Sequence, residues 1–268
     1  MIIFLYGGII MSYWIDSHTH LIFDEFKDNF DSYIQRAFEQ NVRRMMVVCL
    51  NIEQLQRAYE LKEQYSFFDI AIGYFPLDVP KLTEKDWQDL EEAVQDPRVV
   101  AIGEIGLDYF LESSRNCSEL QKEAMIRQID LANKLNKPIL VHSRDAHEDM
   151  VELLQNHPPK CGGIMHCFSG GLEVAKKLAP LGFVFALGGP LTYDNLDEGK
   201  DVVQGMGLEY LQIETDCPSL PPQQHANEIN ETSYAHYSGE VIAKLKGIDV
   251  ETVQKQLQIN YERLFGKL

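Results

Sequence analysis

Eight short runs rich in β-branched and apolar residues recur along this chain, and most are followed by a polar stretch with helical periodicity. No other feature constrains the fold as much. The runs are YWIDSH (13–18), MMVVCL (45–50), FDIAIG (68–73), VVAIGE (99–104), PILVHS (138–143), GIMHCF (163–168), FVFALG (183–188) and YLQIET (210–215). The intervening helices have recognisable ends. Ser118 and Gln121 read as a capping box ahead of Met125, Ile129 and Ala132, which share a face. Asn136 and Pro138 close that helix, and Asp249 precedes a last one ending near NYERLFG. Strands alternating with helices predict an α/β fold, and eight units of about 33 residues predict a (β/α)8 TIM barrel. An open doubly wound sheet is the runner-up, but the Gly-rich phosphate turn it needs after strand one is missing. No linker or low-complexity tract divides the chain, so a single barrel domain is expected over residues 11–268.

The apolar opening MIIFLYGGII (1–10) is too short to span a bilayer and lacks the basic start and cleavage site of a signal peptide. It reads as an upstream extension or a short docked segment. Five cysteines, odd in number and without a CxxC pair, read as reduced thiols of a cytoplasmic protein. Hydrophobic residues make up 45% of the chain, ample for a core, while a net charge of −17 argues against a broad electrostatic grip on duplex DNA. A nucleic-acid substrate held locally by metal ions stays open. No membrane association is expected, and an acidic chain of this kind is expected to be a monomer.

In a barrel the chemistry belongs at the C-terminal ends of the strands. His18 and His20 close the first run, Glu104 the fourth, His142 the fifth, His166 the sixth, and Asp216 follows the eighth. Side chains at i and i+2 of a strand point the same way, so His18 and His20 can both face the mouth. The same parity pairs Ile102 with Glu104, Leu140 with His142 and Ile164 with His166. Four imidazoles and two carboxylates make a mixed donor set suited to divalent ions. Six ligands exceed what one tetrahedral ion needs, and a carboxylate such as Glu104 can bridge, so two ions are expected. Asp16 and Glu214 lie one step deeper and read as partners that orient a ligand. His147, His157, His225 and His236 fall in helices or loops and are assigned no ligand role. Such a site activates water, with Asp216 placed to accept its proton. The reaction class is hydrolysis, with phosphodiester, ester and amide bonds all open.

With these residues at these spacings the chain resembles the TatD-type metal-dependent deoxyribonucleases of the amidohydrolase superfamily. The matching stretches are DSHTHL (16–21), VAIGEIGLDY (100–109), PILVHSRDA (138–146), GIMHCFSG (163–170), IETDCP (213–218) and NYERLFG (260–266), which together cover nearly the whole chain. The resemblance implies a TIM barrel and a hydrolase acting 3′-to-5′ on DNA ends, with single-stranded ends as the expected substrate. It implies two divalent ions per subunit, Mg²⁺, Mn²⁺ or Zn²⁺. By the family motifs one is held by His18, His20, Glu104 and Asp216, and the other by Glu104, His142 and His166. Arg144 matches the family's HxR arginine and is expected to hold a phosphate oxygen. Catalytic roles thus fall to Asp216, Glu104 and Arg144.

Two departures bear on the substrate. Where the family carries a histidine in a GxHP stretch, this chain reads GYFP, with Phe75 in that place. Near the end, QQHANEI keeps Asn227 and Glu228 but lacks the family's arginines. Both changes remove groups that favour phosphate. Arg43 and Arg44 precede strand two at the opposite end of the barrel, and Lys176 and Lys177 sit within a helix. Tyr74, Phe75, Tyr109 and Phe168 lie near strand ends, where they can stack on bases or simply pack. The absence of a lysine at the ligand-bearing strand ends disfavours barrels that bridge their metals with a carboxylated lysine. An ester or amide hydrolase such as a D-aminoacyl-tRNA deacylase remains as an alternative, and a non-catalytic metal-binding barrel is the third reading.

Overall fold

The computed structural model describes residues 12–267, so the proposed extension over residues 1–10 lies outside the described residues. All eight runs form parallel strands in one sheet whose spatial order follows the chain: β1 (Trp14–Thr19), β2 (Val42–Cys49), β3 (Phe68–Ile72), β4 (Val99–Asp108), β5 (Ile139–Arg144), β6 (Gly163–Met165), β7 (Phe183–Leu187) and β8 (Leu211–Ile213). A bridge between Thr19 and Cys217 brings the chain after β8 back against β1, leaving a nearly closed barrel with helices between the strands.

Two layers of apolar packing follow from the strand period. Ile15, Met46, Val48, Ala71, Leu140, Ile164 and Val184 point into the barrel, and Tyr261 and Phe265 of the last helix pack with them. Alternate residues such as Val47, Ile70, Val141, Met165 and Phe185 meet the outer helices, whose buried faces include Met125, Ile129 and Leu154. Strand four breaks the expected parity. Ala101 lies inside the barrel while Ile102 joins the outer layer, and the register against β5 slips between Ile102 and Ile105. The slip, not simple alternation from Ile102, sets the direction of Glu104.

Beyond the slip, β4 continues four residues past the expected end, pairing Gly106 with His142 and Asp108 with Arg144. Gly106 is required there: its φ is +152°, and a Cβ would collide with the carbonyl oxygen of His142.

The helix ends form in part as their sequence signals predict. Asp249 caps the Val250–Phe265 helix by accepting the Thr252 N–H at 2.7 Å. Asn136 ends the Ser118–Leu135 helix in the left-handed conformation, and Met125, Ile129 and Ala132 share its buried face. The capping box does not form. Gln121 instead turns inward, accepting the Asp108 N–H at 2.8 Å and donating to the Asp108 carbonyl at 3.1 Å. A buried amide that satisfies a strand end outweighs an exposed cap.

Arg43 and Arg44 lie within β2 instead of before it, and Arg44 is buried at the floor of the barrel, the end opposite the mouth as expected. The Arg44 Nε donates to Asp69 Oδ2 at 2.6 Å, its Nη1 to the Gly266 carbonyl at 2.8 Å, and its guanidinium lies over the Tyr261 ring. No helix among the described residues is long and apolar enough to cross a membrane.

Candidate metal centre

His18 and His20 leave β1 toward the mouth of the barrel, where their Nε2 atoms approach the same two carboxylates. His18 Nε2 lies 3.4 Å from Glu104 Oε2 and 3.8 Å from Asp216 Oδ1; for His20 Nε2 the two distances are 3.8 and 3.4 Å. Donors about 2.1 Å from one tetrahedral ion sit roughly 3.4 Å from each other, so this spacing fits a shared cation. The other Glu104 oxygen faces a second group: Oε1 is 2.8 Å from His142 Nδ1 and 3.0 Å from His166 Nε2. The structure therefore brings together all six residues expected at the strand ends, with Glu104 common to both groups.

Asp216 reaches this position through the backbone. The chain leaves β8 after Ile213, and Asp216 adopts a left-handed φ of 57°, which Asp tolerates better than most residues. Its N–H donates to the His18 carbonyl at 3.0 Å.

The far side of each imidazole decides which nitrogen is free. His20 Nδ1 donates to the Val48 carbonyl at 3.1 Å, which leaves Nε2 as the acceptor. His142 Nε2 meets Asp108 Oδ2 at 3.0 Å, and His166 Nδ1 lies 3.2 Å from Glu214 Oε1. His18 is different. It is fully buried and neither ring nitrogen has a hydrogen-bond partner. Burial, with His166 beside it, pushes its pKa down, which favours the neutral ring with a lone pair to give. An orphaned neutral imidazole beside two carboxylates fits a metal ligand and is costly otherwise.

The charges in this cavity balance by proximity. Burial alone would raise the Glu104 carboxyl, but His166, His142 and His18 outweigh it and hold the group well below its usual range. Burial opposes protonation of His166, yet Glu104 and Glu214 together hold its pKa well above the ordinary value. Asp16, expected to orient a ligand, accepts the Thr215 N–H at 2.9 Å and hydroxyl at 2.6 Å and so braces the segment that carries Asp216. Burial pushes its carboxyl up to about 7 against those bonds.

Asp108 lies in the IGEIGLDY stretch, four residues past Glu104, but no local pattern marks it as a partner of the site. It is buried, and only the full length of β4 brings it under His142. Arg144 reaches the rim with its guanidinium 3.8 Å from the centre of the Phe110 ring. Phe75 lies edge-on to His142, ring centres 4.8 Å apart. Among the histidines given no ligand role, His147 contacts Ser143 and Ser169, His225 contacts Glu228 and Tyr237, and His236 contacts Glu240. Lys176 and Lys177 are exposed on their helix.

The family model described as TatD related DNase matches residues 15–266. The uncharacterized metal-dependent hydrolase YabD of Bacillus subtilis (strain 168) is 39% identical over 251 residues, covering 93% of this chain and 98% of its own. The mouse protein named "Putative deoxyribonuclease TATDN3" is 30% identical over 265 residues, covering 95% of this chain and 88% of its own. The crystal structure of YJJV, a TatD homolog from Escherichia coli K12, superposes with a TM-score of 0.90 at 29% identity, covering 95% of this chain and 98% of that one.

Proposed function

This chain belongs to the TatD related DNase family, whose relatives are metal-dependent hydrolases, and on that premise we propose that it is a deoxyribonuclease removing nucleotides from single-stranded 3′ ends of DNA. The observation that carries the reading is Glu104, whose two oxygens face two separate donor groups across one cavity. His18, His20, Glu104 and Asp216 would hold one divalent ion, and Glu104, His142 and His166 a second. Ions bound there supply Lewis acidity that lowers the pKa of water and offsets charge on a phosphoryl group.

The remaining work falls to the chain's own side chains. The Asp216 side chain keeps 16% of its surface accessible, whereas those of His18 and Glu104 are at 0% and 4%. Asp216 is therefore the carboxylate that an entering water meets, and it accepts the proton of that water as attack proceeds. Asp108 holds His142 so that Nδ1 points inward. Arg144, exposed on the rim, donates to a phosphate oxygen and fixes the scissile group over the cavity.

A D-aminoacyl-tRNA deacylase is the second reading, favoured by Phe75 standing against His142 where a phosphate-binding imidazole would otherwise be. The two are separated by incubating metal-replete protein with end-labelled single-stranded DNA, duplex DNA and D-aminoacyl-tRNA, alongside Glu104→Ala. Shortening of single-stranded DNA from its 3′ end, lost in the variant together with bound metal, is the expected result. No Glu104-dependent DNA cleavage with Mg²⁺, Mn²⁺ or Zn²⁺ overturns the reading, and release of the amino acid instead selects the deacylase.

A further inference from the structure

Three phenylalanines stand at the mouth where strands β1, β3 and β4 deliver the chain, and each is tied to a residue of the cavity. Phe23 stacks on His20 with ring centres 4.7 Å apart and planes 14° apart. Phe75 sets its edge against His142. Phe110 is 52% exposed, and its backbone N–H donates to Asp108 Oδ1 at 3.0 Å while the other oxygen of that carboxylate meets His142 Nε2. Phe23 and Phe75 are half-buried, so each keeps accessible surface.

Phe110 carries a large apolar ring in water at a site the core does not need. Its position is nonetheless fixed. The Asp108 bond holds its backbone, the Tyr109 N–H donates to the Arg144 carbonyl at 2.9 Å, and Arg115 Nε donates to the Tyr109 carbonyl at 2.5 Å. The Arg144 guanidinium then lies over the ring at 3.8 Å, a cation–π contact that aligns a positive plane with an apolar one. A flat ring beside a planar cation matches a nucleotide, which presents a π-face next to an anionic phosphate. An acidic chain has no general attraction for nucleic acid, so local recognition of this kind must supply the grip.

We propose that Phe110, with Arg144 stacked on it and Phe75 and Phe23 along the same side of the mouth, forms an aromatic half-rim that holds an unpaired base of the substrate. The proposal rests on the nuclease reading and deepens it: pairing holds a terminal base in its duplex stack, whereas an unpaired base can swing onto the rim, so the rim selects single-stranded ends, and selection comes from stacking instead of base-edge hydrogen bonds. Little preference among the four bases follows.

The test compares two single-stranded oligodeoxynucleotides that differ only in their terminal residue, one bearing a base and one abasic, with the wild type, Phe110→Ala and Phe110→Trp. Wild type prefers the base-bearing end about tenfold in kcat/KM; Phe110→Ala narrows that ratio toward one, mostly through KM, and Phe110→Trp restores it. A ratio that survives in Phe110→Ala, or a wild type with no preference, overturns the half-rim. Equilibrium binding of the same oligonucleotides by fluorescence anisotropy separates the two ideas. If neither DNA is cut, the nuclease reading falls. A base preference in binding that Phe110→Ala abolishes still upholds the rim, and its absence removes the rim as well.

Discussion

Asp108 Oδ2 lies 3.0 Å from His142 Nε2, so the nitrogen facing Glu104 is left as the acceptor. One buried carboxylate thereby determines which face of a neighbouring ring is available to a cation. Removing such a partner commonly costs about 10- to 100-fold in metal affinity. Asp108→Ala is expected to lose affinity in that range by isothermal titration calorimetry. Asp108→Asn, which can still accept from Nε2, should lose less. Equal affinity in wild type and Asp108→Ala would remove Asp108 from the site.

Chelation should destabilise the fold, because His18 is buried with both nitrogens unpartnered and an ion that binds only the native state adds stability. Urea denaturation with and without EDTA measures this. With free ion about 100-fold above its Kd the expected gain is about 2.7 kcal/mol. Coincident curves would count against binding at His18.

The barrel floor offers a separate test of stability. Arg44 and Asp69 are both buried, and Tyr261 donates its hydroxyl to the same Asp69 oxygen at 2.9 Å. Asp69→Ala strands the guanidinium and should cost about 3–5 kcal/mol in denaturant unfolding. Tyr261→Phe removes one hydrogen bond and should cost about 1 kcal/mol. A mild Asp69→Ala variant would show that Arg44 finds solvent.

Burial lowers the pKa of His147 despite the nearby charges of Asp145 and Glu198. The native state then binds fewer protons here than the unfolded state, whose value is near 6.5, so stability falls as pH drops through that value. Metal-free wild type should lose more stability between pH 7.5 and 5.5 than His147→Gln does. Equal losses would mean His147 takes up its proton without penalty.

Much of the architecture is legible along the chain because it depends on local period. All eight strand segments, the helix end at Asn136 and the Asp249 cap follow from side-chain pattern and capping chemistry. The six residues brought together at the mouth are legible for the same reason, since a barrel places strand ends on one rim whatever the loops between them do. The Gln121 capping box failed because the same side chain has a better use inward, against Asp108.

By itself, then, the sequence determined the α/β alternation and the set of candidate metal ligands at the strand ends. Tertiary structure alone decided that β4 slips against β5 and runs on to Asp108, that Arg44 closes the floor with Asp69, and that Phe110 carries Arg144 on its face. These outcomes come from pairing between segments tens of residues apart. Register, burial of charge and the free face of a ring are set by what the partner strand presents, and no local period encodes that.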